Sequence, residues 1–235
     1  MQSYSEKVVV VTGAASGIGR ALAQQLSMQG ANLALSDVNM EALEETASIL
    51  RGTGKVTLQK LDVADRGAWE AYAEQVKADH GQVDMIINNA GVALSETVER
   101  MSYEDMEWIV NINFWGVVYG TKSFLPLLKE RPESAIVNVS SIFGIIALPT
   151  QAAYNATKFA VRGFTESLRQ ELKDTNVFVT TVHPGGIKTN IVRNGRMKTS
   201  MTGDNQTLEQ QAKHFEKIAK TTPAQAADTL SLIHI

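Results

Sequence analysis

The sequence predicts a doubly wound α/β fold, a parallel sheet with helices on both faces. Three observations lead to it. Short β-rich runs alternate with longer runs of helical apolar spacing, the pattern of successive βαβ units. The first run, Val8 to Thr12, is continuously apolar, as a strand buried on both faces requires. Directly after it, TGAASGIGR (Thr12 to Arg20) forms a glycine-rich turn that opens into a helix.

The elements follow in order. Ile18 to Gln29 has helical spacing, and Gly30 is placed to supply a left-handed end. Asn32 to Ser36 reads as the second strand and Met40 to Leu50 as the second helix. Val56 to Val63 is the third strand, Asp65 to His80 the third helix and Val83 to Asn88 the fourth strand. Tyr103 to Leu128 is one long helical pattern. Ser102 is placed to cap it, Asp105 occupies the capping-box position, and Met101 and Met106 have staple spacing. Pro126 is expected to bend or end it near its C-terminus. Ala135 to Ser140 is the fifth strand, Ala152 to Lys173 the next helix and Val177 to His183 the sixth strand; Thr207 is placed to cap a further helix.

Bulk properties exclude several classes of function. The chain has 235 residues, 44% of them apolar, which suits a single domain over 1–235 with a substantial core. A net charge of −3 without long charged blocks argues against nucleic acid and anionic membranes as partners. The absence of cysteine removes disulfides and thiolate metal sites. His80, His183, His214 and His234 share no ligand spacing, so no metal is expected. No run approaches the roughly 20 apolar residues of a membrane span, and the N-terminus lacks the pattern of a signal peptide. A soluble, cytoplasmic protein is expected.

In open parallel sheets ligands bind beyond the carboxyl ends of the strands, so the residues after each strand are the candidates. Gly13, Gly17 and Gly19, with Ser16 and Ile18 between them, let the backbone approach a pyrophosphate at a helix N-terminus. No lysine stands at the Walker position. Asp37, after strand two, lies where a carboxylate meets an adenosine ribose and repels a 2′-phosphate. Ser16, Val38 and Asn39 offer that phosphate no cation, which favours NAD over NADP; taken alone, Asp37 reads as a cap or turn residue. Asp62, beside Val63, either reaches an adenine amino group or caps the next helix. Asn89, Ala90 and Gly91 form a low surface for a ribose or flat ring, and Asn88 reads at least as well as a tie between strands. Strand five ends in Ser140 and Ser141. After strand six, Pro184 and Gly185 shape the far wall, and His183 reads as a packed core residue.

AAYNATKFAVRGF, Ala152 to Phe164, sets Tyr154 and Lys158 one helical turn apart. Taken alone, the pair reads as an exposed helix face. The ordered set changes that reading. TGAASGIG, NNAG, a serine thirteen residues before YNATK, and PGG together resemble the short-chain dehydrogenase/reductase family over about Lys7 to Ala227. The resemblance implies a Rossmann fold of one domain, a nicotinamide cofactor and hydride transfer between a small-molecule alcohol and a carbonyl. It also implies a homotetramer or homodimer built on the helices at 103–128 and 152–173. By motif it makes Tyr154 and Lys158 the Y-x-x-x-K pair and Ser141 the catalytic serine, with Ser140 the adjacent alternative. Asn113, in NFWG, matches the catalytic asparagine, with Asn111 the nearby competitor. In PGGIKT, Thr189 matches the residue that holds the nicotinamide carboxamide, and Ile187 shares that cofactor-facing segment with Pro184 and Gly185.

The chemistry explains the residue types. An alcohol being oxidised needs a base, and a free phenol with a pKa near 10 is a poor one at neutral pH. Lys158 is expected to lower the Tyr154 pKa, Ser141 to hydrogen-bond the substrate oxygen, and Asn113 to hold a water that links Lys158 to solvent. Two rival functions are an NADP-dependent carbonyl reductase, opposed by Asp37, and a non-catalytic NAD-binding sensor or scaffold. Residues 186–222 are expected to form a substrate flap, with Ile191, Met197 and Met201 lining the pocket or anchoring it. Phe143 is a further candidate for the pocket, whereas Trp115 is expected in the core. The final SLIHI stands where relatives continue into a seventh strand, which is expected to be missing or altered, leaving a sheet edge exposed.

Overall fold

The structure, a computed structural model, describes residues 3–199 and 207–231. Its strands are β1 (Val8–Thr12), β2 (Asn32–Asp37), β3 (Val56–Lys60), β4 (Met85–Asn88), β5 (Leu94–Ser95), β6 (Ser134–Val139), β7 (Val177–Val182) and β8 (Arg196–Met197). The helices are α1 (Gly17–Met28), α2 (Met40–Ser48), α3 (Arg66–His80), α4 (Tyr103–Val110), α5 (Gly116–Lys129), α6 (Ala152–Glu171), α7 (Leu208–Ile218) and α8 (Pro223–Ser231). Six strands form a parallel sheet in the order β3-β2-β1-β4-β6-β7. The order reverses between β1 and β4, where an open sheet of this kind opens a ligand crevice.

The doubly apolar β1 explains the two layers. Val9 and Val11 face one core with Leu22 and Leu26 of α1, Leu33 and Leu35 of β2, and Ala227 of α8. Val8 and Val10 face the other, with Trp69 and Tyr72 of α3 and Phe124 and Leu128 of α5. There the Tyr72 and Phe124 rings meet edge to face at 5.7 Å, and the Trp69 and Phe124 rings at 6.4 Å.

Four local expectations change. The pattern over 103–128 is interrupted by a π-helical turn, Asn111–Trp115, which apolar spacing does not reveal. Ser102 caps α4 by accepting from Asp105 N at 3.2 Å, but the Asp105 carboxylate turns to Arg196 and Lys198 instead of closing the box. Pro126 sits inside α5, which runs on to Lys129. Trp115 is 41% exposed and stacks on Tyr119, so it is no core residue. The small parallel pair β5–β8 lies outside the main sheet and was not foreseen. Met201 and residues 232–235, where the altered seventh strand was expected, lie outside the described residues.

At the amino edge of the sheet a buried carboxylate joins three elements. Asp84 accepts from Val8 N at 2.9 Å and from Arg131 Nε at 2.9 Å, and Lys7 Nζ stands 3.5 Å away. Removing one partner of such a set strands charges and a strand-end donor. Asp84→Ala is expected to lower unfolding free energy by about 3 kcal/mol, measured by urea denaturation.

Candidate active site

The glycine loop is tied down from two sides. Thr12 Oγ1 accepts from Asn89 N and Ala90 N, both at 3.0 Å, and Asn89 Nδ2 donates to Thr12 O at 2.8 Å. The Asn89 side chain therefore shapes the loop and is not directed at a ligand. Gly17 has φ +55°, and a β-carbon there would come within 3.1 Å of Thr189 Cγ2, so the segment after β7 crosses the loop closely. Ser16 precedes α1 without making a side-chain cap, and no acid stands in the first turn. A helix start with uncapped N–H groups behind a turn of glycines and small residues fits an anionic pyrophosphate.

Asp37 fills the turn role, one of the two the sequence left open. Its carboxylate accepts from Ala15 N and Asn39 N, each at 3.0 Å, while the residue stays partly exposed at the rim. Arg20, the cation that ends the TGAASGIGR stretch, escaped the sequence reading. Its guanidinium donates to Ala15 O at 2.6 Å, Ala42 O at 3.0 Å and Thr46 Oγ1 at 2.8 Å, which turns it into the α1–α2 contact. Asp62 is exposed and accepts from Ala64 N, whereas Asp65 caps α3. Val63 is a core residue: its carbonyl accepts from Trp69 Nε1 and its side chain lies in the second core. Ile187 is buried and bridges to Thr221.

The second group of residues gathers around the start of α6. Ser141 opens a short 3₁₀ turn, Ile142–Gly144; its Oγ accepts from Phe143 N at 3.2 Å and donates to Pro184 O at 3.4 Å. Phe143 packs edge-on at 6.0 Å against the ring of the neighbouring Tyr154. Lys158 is 4% exposed; its Nζ donates to Val139 O at 3.0 Å and lies 5.7 Å from the centre of the Tyr154 ring. Ser140, the alternative to Ser141, donates to Lys158 O at 2.8 Å and so fastens α6 to β6. His183 Nδ1 stands 3.1 Å from Ser141 O.

The charge states depart from expectation. Burial pushes the Tyr154 phenol up to about 12, against the lowering influence of the nearby Ser141 hydroxyl. Burial also lowers Lys158 to about 8. The expected acidification of Tyr154 by Lys158 is thus not a property of the protein alone. The ammonium lies by the ring and binds Val139 O, and desolvation outweighs its field.

The π turn buries Asn113 and leaves Asn111 exposed, so geometry separates these two candidates. Asn113 Oδ1 accepts from Val92 N at 2.8 Å, and its Nδ2 donates to Val92 O at 2.9 Å and Thr157 Oγ1 at 3.2 Å. Its amide therefore joins the Val92 segment to α6. A β-carbon at Gly91 would lie 3.2 Å from Asn113 Oδ1 and 3.4 Å from Lys158 Nζ, so glycine keeps this meeting point open. Nothing in the sequence singles out Asn155, yet its Nδ2 donates to Phe143 O at 2.8 Å and Ile146 O at 2.7 Å and fixes the loop beside Tyr154. Among the described residues no cluster of His, Cys, Asp or Glu could hold a metal, and no helix is long and apolar enough to cross a membrane.

A doubly wound sheet with a glycine loop at its switch point and a Ser–Tyr–Lys group nearby defines a dinucleotide-dependent oxidoreductase of the Rossmann type. Residues 7–200 match the short chain dehydrogenase family, and the chain belongs to it. SadH of Mycobacterium tuberculosis, by its provisional name an oxidoreductase, is 48% identical over 234 residues, covering 98% of this chain and 83% of SadH. Cyclopentanol dehydrogenase of Comamonas is 37% identical over 190 residues, 80% of this chain and 76% of that one. A short-chain dehydrogenase/reductase from Burkholderia phymatum, solved with NAD, superposes with a TM-score of 0.88 at 29% identity, covering 99% of this chain and 87% of its own. Related solved structures hold NAD, NADH or 5-hydroxy-NADP.

The buried ammonium has a stability consequence. Lys158 is lowered to about 8 in the fold, so burial of its charge opposes folding in full below pH 8 and fades as pH rises towards the ordinary lysine value near 10.5. Lys158→Met is expected to stabilise the protein at pH 7 by about 1–2 kcal/mol, after allowing for the lost bond to Val139 O. Urea denaturation at pH 7 and pH 10 should show that advantage shrinking.

Proposed function

We propose that the protein transfers a hydride between NAD(H) and a secondary alcohol or ketone. The observation that carries this reading is the convergence of Ser141, Tyr154 and Lys158 in one buried cluster beyond the carboxyl end of β6. Asn113 and Gly91 meet Lys158 at its edge, and Gly17 of the glycine loop lies against Thr189. Cyclopentanol dehydrogenase, an alcohol enzyme by name, supports the substrate class.

In this reading α1's N-terminal turn holds the pyrophosphate, Asp37 the adenosine ribose, and Thr189 with Pro184, Gly185 and Ile187 the nicotinamide end. When bound, the dinucleotide supplies the hydride acceptor or donor. Ser141 Oγ donates to the substrate oxygen and orients it. Tyr154 Oη takes the proton from an alcohol, or returns it to the oxygen of a ketone undergoing reduction. Lys158, with its value of about 8, remains charged at pH 7 and opposes the cost of a buried phenolate. The substrate flap expected over 186–222 is part of this reading, and its residues 200–206 lie outside the described residues. A homodimer or homotetramer through α5 and α6 belongs to the same reading, and the exposed Phe159 is apolar surface it would cover.

Nicotinamide absorbance with a panel of secondary alcohols and ketones tests the proposal; cofactor binding without turnover on any of them would favour a sensor instead. Tyr154→Phe is expected to reduce kcat/KM by about a thousandfold with NAD affinity within a factor of about two. Oxidation should speed up from neutral to alkaline pH, because burial holds the Tyr154 proton tightly. Ser141→Ala removes the hydroxyl that lowers the phenol and should displace that rise to higher pH. Asp37→Ala should shift the ratio of NAD to NADP affinity towards NADP by about tenfold, the scale of one lost charge–phosphate repulsion; titration with both cofactors reads it directly.

A further inference from the structure

The segment after β7 is seated against the site by an ion cluster that the proposed chemistry does not use. Its main chain runs beside β5: Arg196 N donates to Ala93 O at 2.9 Å, and Lys198 N and Thr199 N each donate to Ser95 O at 3.0 Å. Side chains alternate along this stretch. Arg196 and Lys198 point outward, whereas Met197 and Thr199 are partly buried. On the outer side Arg196 Nη1 donates to Asp105 Oδ1 at 2.9 Å and Lys198 Nζ donates to Asp105 Oδ2. The Arg196 guanidinium also lies 4.1 Å from the centre of the Trp108 ring. The Asp105 side chain is only 3% exposed, and its carboxyl is held below the usual range, first by Lys198 and, against burial, also by Arg196. On the inner side Met197 packs against the apolar cluster that contains Tyr154, Ala93, Leu94 and Ile109.

Successive strand residues face opposite ways, so a fixed pair at 196 and 198 fixes the residue between them, and a one-residue slip would expel it. We infer that Asp105 is a positioning residue: by seating Arg196 and Lys198 it sets the register of β8 and holds Met197 as an apolar wall for the non-reacting part of the substrate. The favoured substrates are then bulky, uncharged alcohols and ketones over small ones. This inference rests on Tyr154 as the reacting centre, but the seating of β8 does not.

Asp105→Asn keeps the size and removes the charge. Arg196 and Lys198, 42% and 46% exposed, stay solvated, so loosening is expected without unfolding. In the cofactor-free protein the amides of Arg196, Lys198 and Thr199 should exchange hydrogen about tenfold faster in the variant; unchanged protection overturns the seating role whatever the activity. With NAD, KM for cyclohexanol should rise about fivefold, KM for 2-propanol and both kcat values should stay within about twofold, and Met197→Ala should reproduce that split. Equal weakening of both alcohols, or of neither, overturns the specificity role. If wild type oxidises neither alcohol, the catalytic reading fails while the exchange experiment still decides the seating. Should Asp105→Asn not fold, the double variant Arg196→Gln, Lys198→Gln carries the same expectations for exchange and KM.

Discussion

The rest of the site depends on how α6 is docked on the end of β6. Two crossed hydrogen bonds make the joint: Lys158 Nζ reaches the carbonyl of Val139, and Ser140 Oγ reaches the carbonyl of Lys158. A strand and a helix that meet through backbone acceptors cannot slide along each other without leaving a buried polar group unmet. Tyr154 stands one turn before Lys158, and Ser141 follows Ser140 in the chain. The joint therefore sets the distance between phenol and hydroxyl before any ligand arrives.

That rigidity has an electrostatic side. The same burial that fixes the ammonium and the phenol takes both away from water, and each is driven towards its neutral form. The protein thus holds a charge in an unfavourable place, offset elsewhere by apolar layers on both faces of the sheet and by Asp84 at the opposite end of the strands. Stability and chemistry occupy opposite edges of one sheet. Loops at the carboxyl edge can then differ among relatives while the amino edge carries cohesion.

Much of this was legible in the sequence, for physical reasons. Strands buried on both faces announce themselves as unbroken valine runs such as Val8 to Val11, and glycines at 13, 17 and 19 have few uses after a strand. The order of motifs foretold which side chains would meet. What stayed hidden were partnerships across long stretches of chain. Nothing near Asp105 announces Arg196, and nothing near Arg20 announces Thr46. Nor does the pattern show that β3 ends at Lys60, three residues before Val63, whose side chain turns into the core. Spacing puts Lys158 beside Tyr154, but it does not convey the desolvation that pushes the phenol up.

The π turn at Asn111–Trp115 draws these threads together. An extra residue in a helical turn rotates everything beyond it by about 100°. Before the turn, Asp105 and Ile109 face β8 and the Tyr154 cluster; within it, Asn113 points to α6; after it, Phe124 and Leu128 face the sheet. A regular helix would present a single stripe, too narrow to serve three neighbours lying in different directions. The wide turn acts as a phase shifter, letting one nearly continuous rod address β8, α6 and the hydrophobic interior in succession.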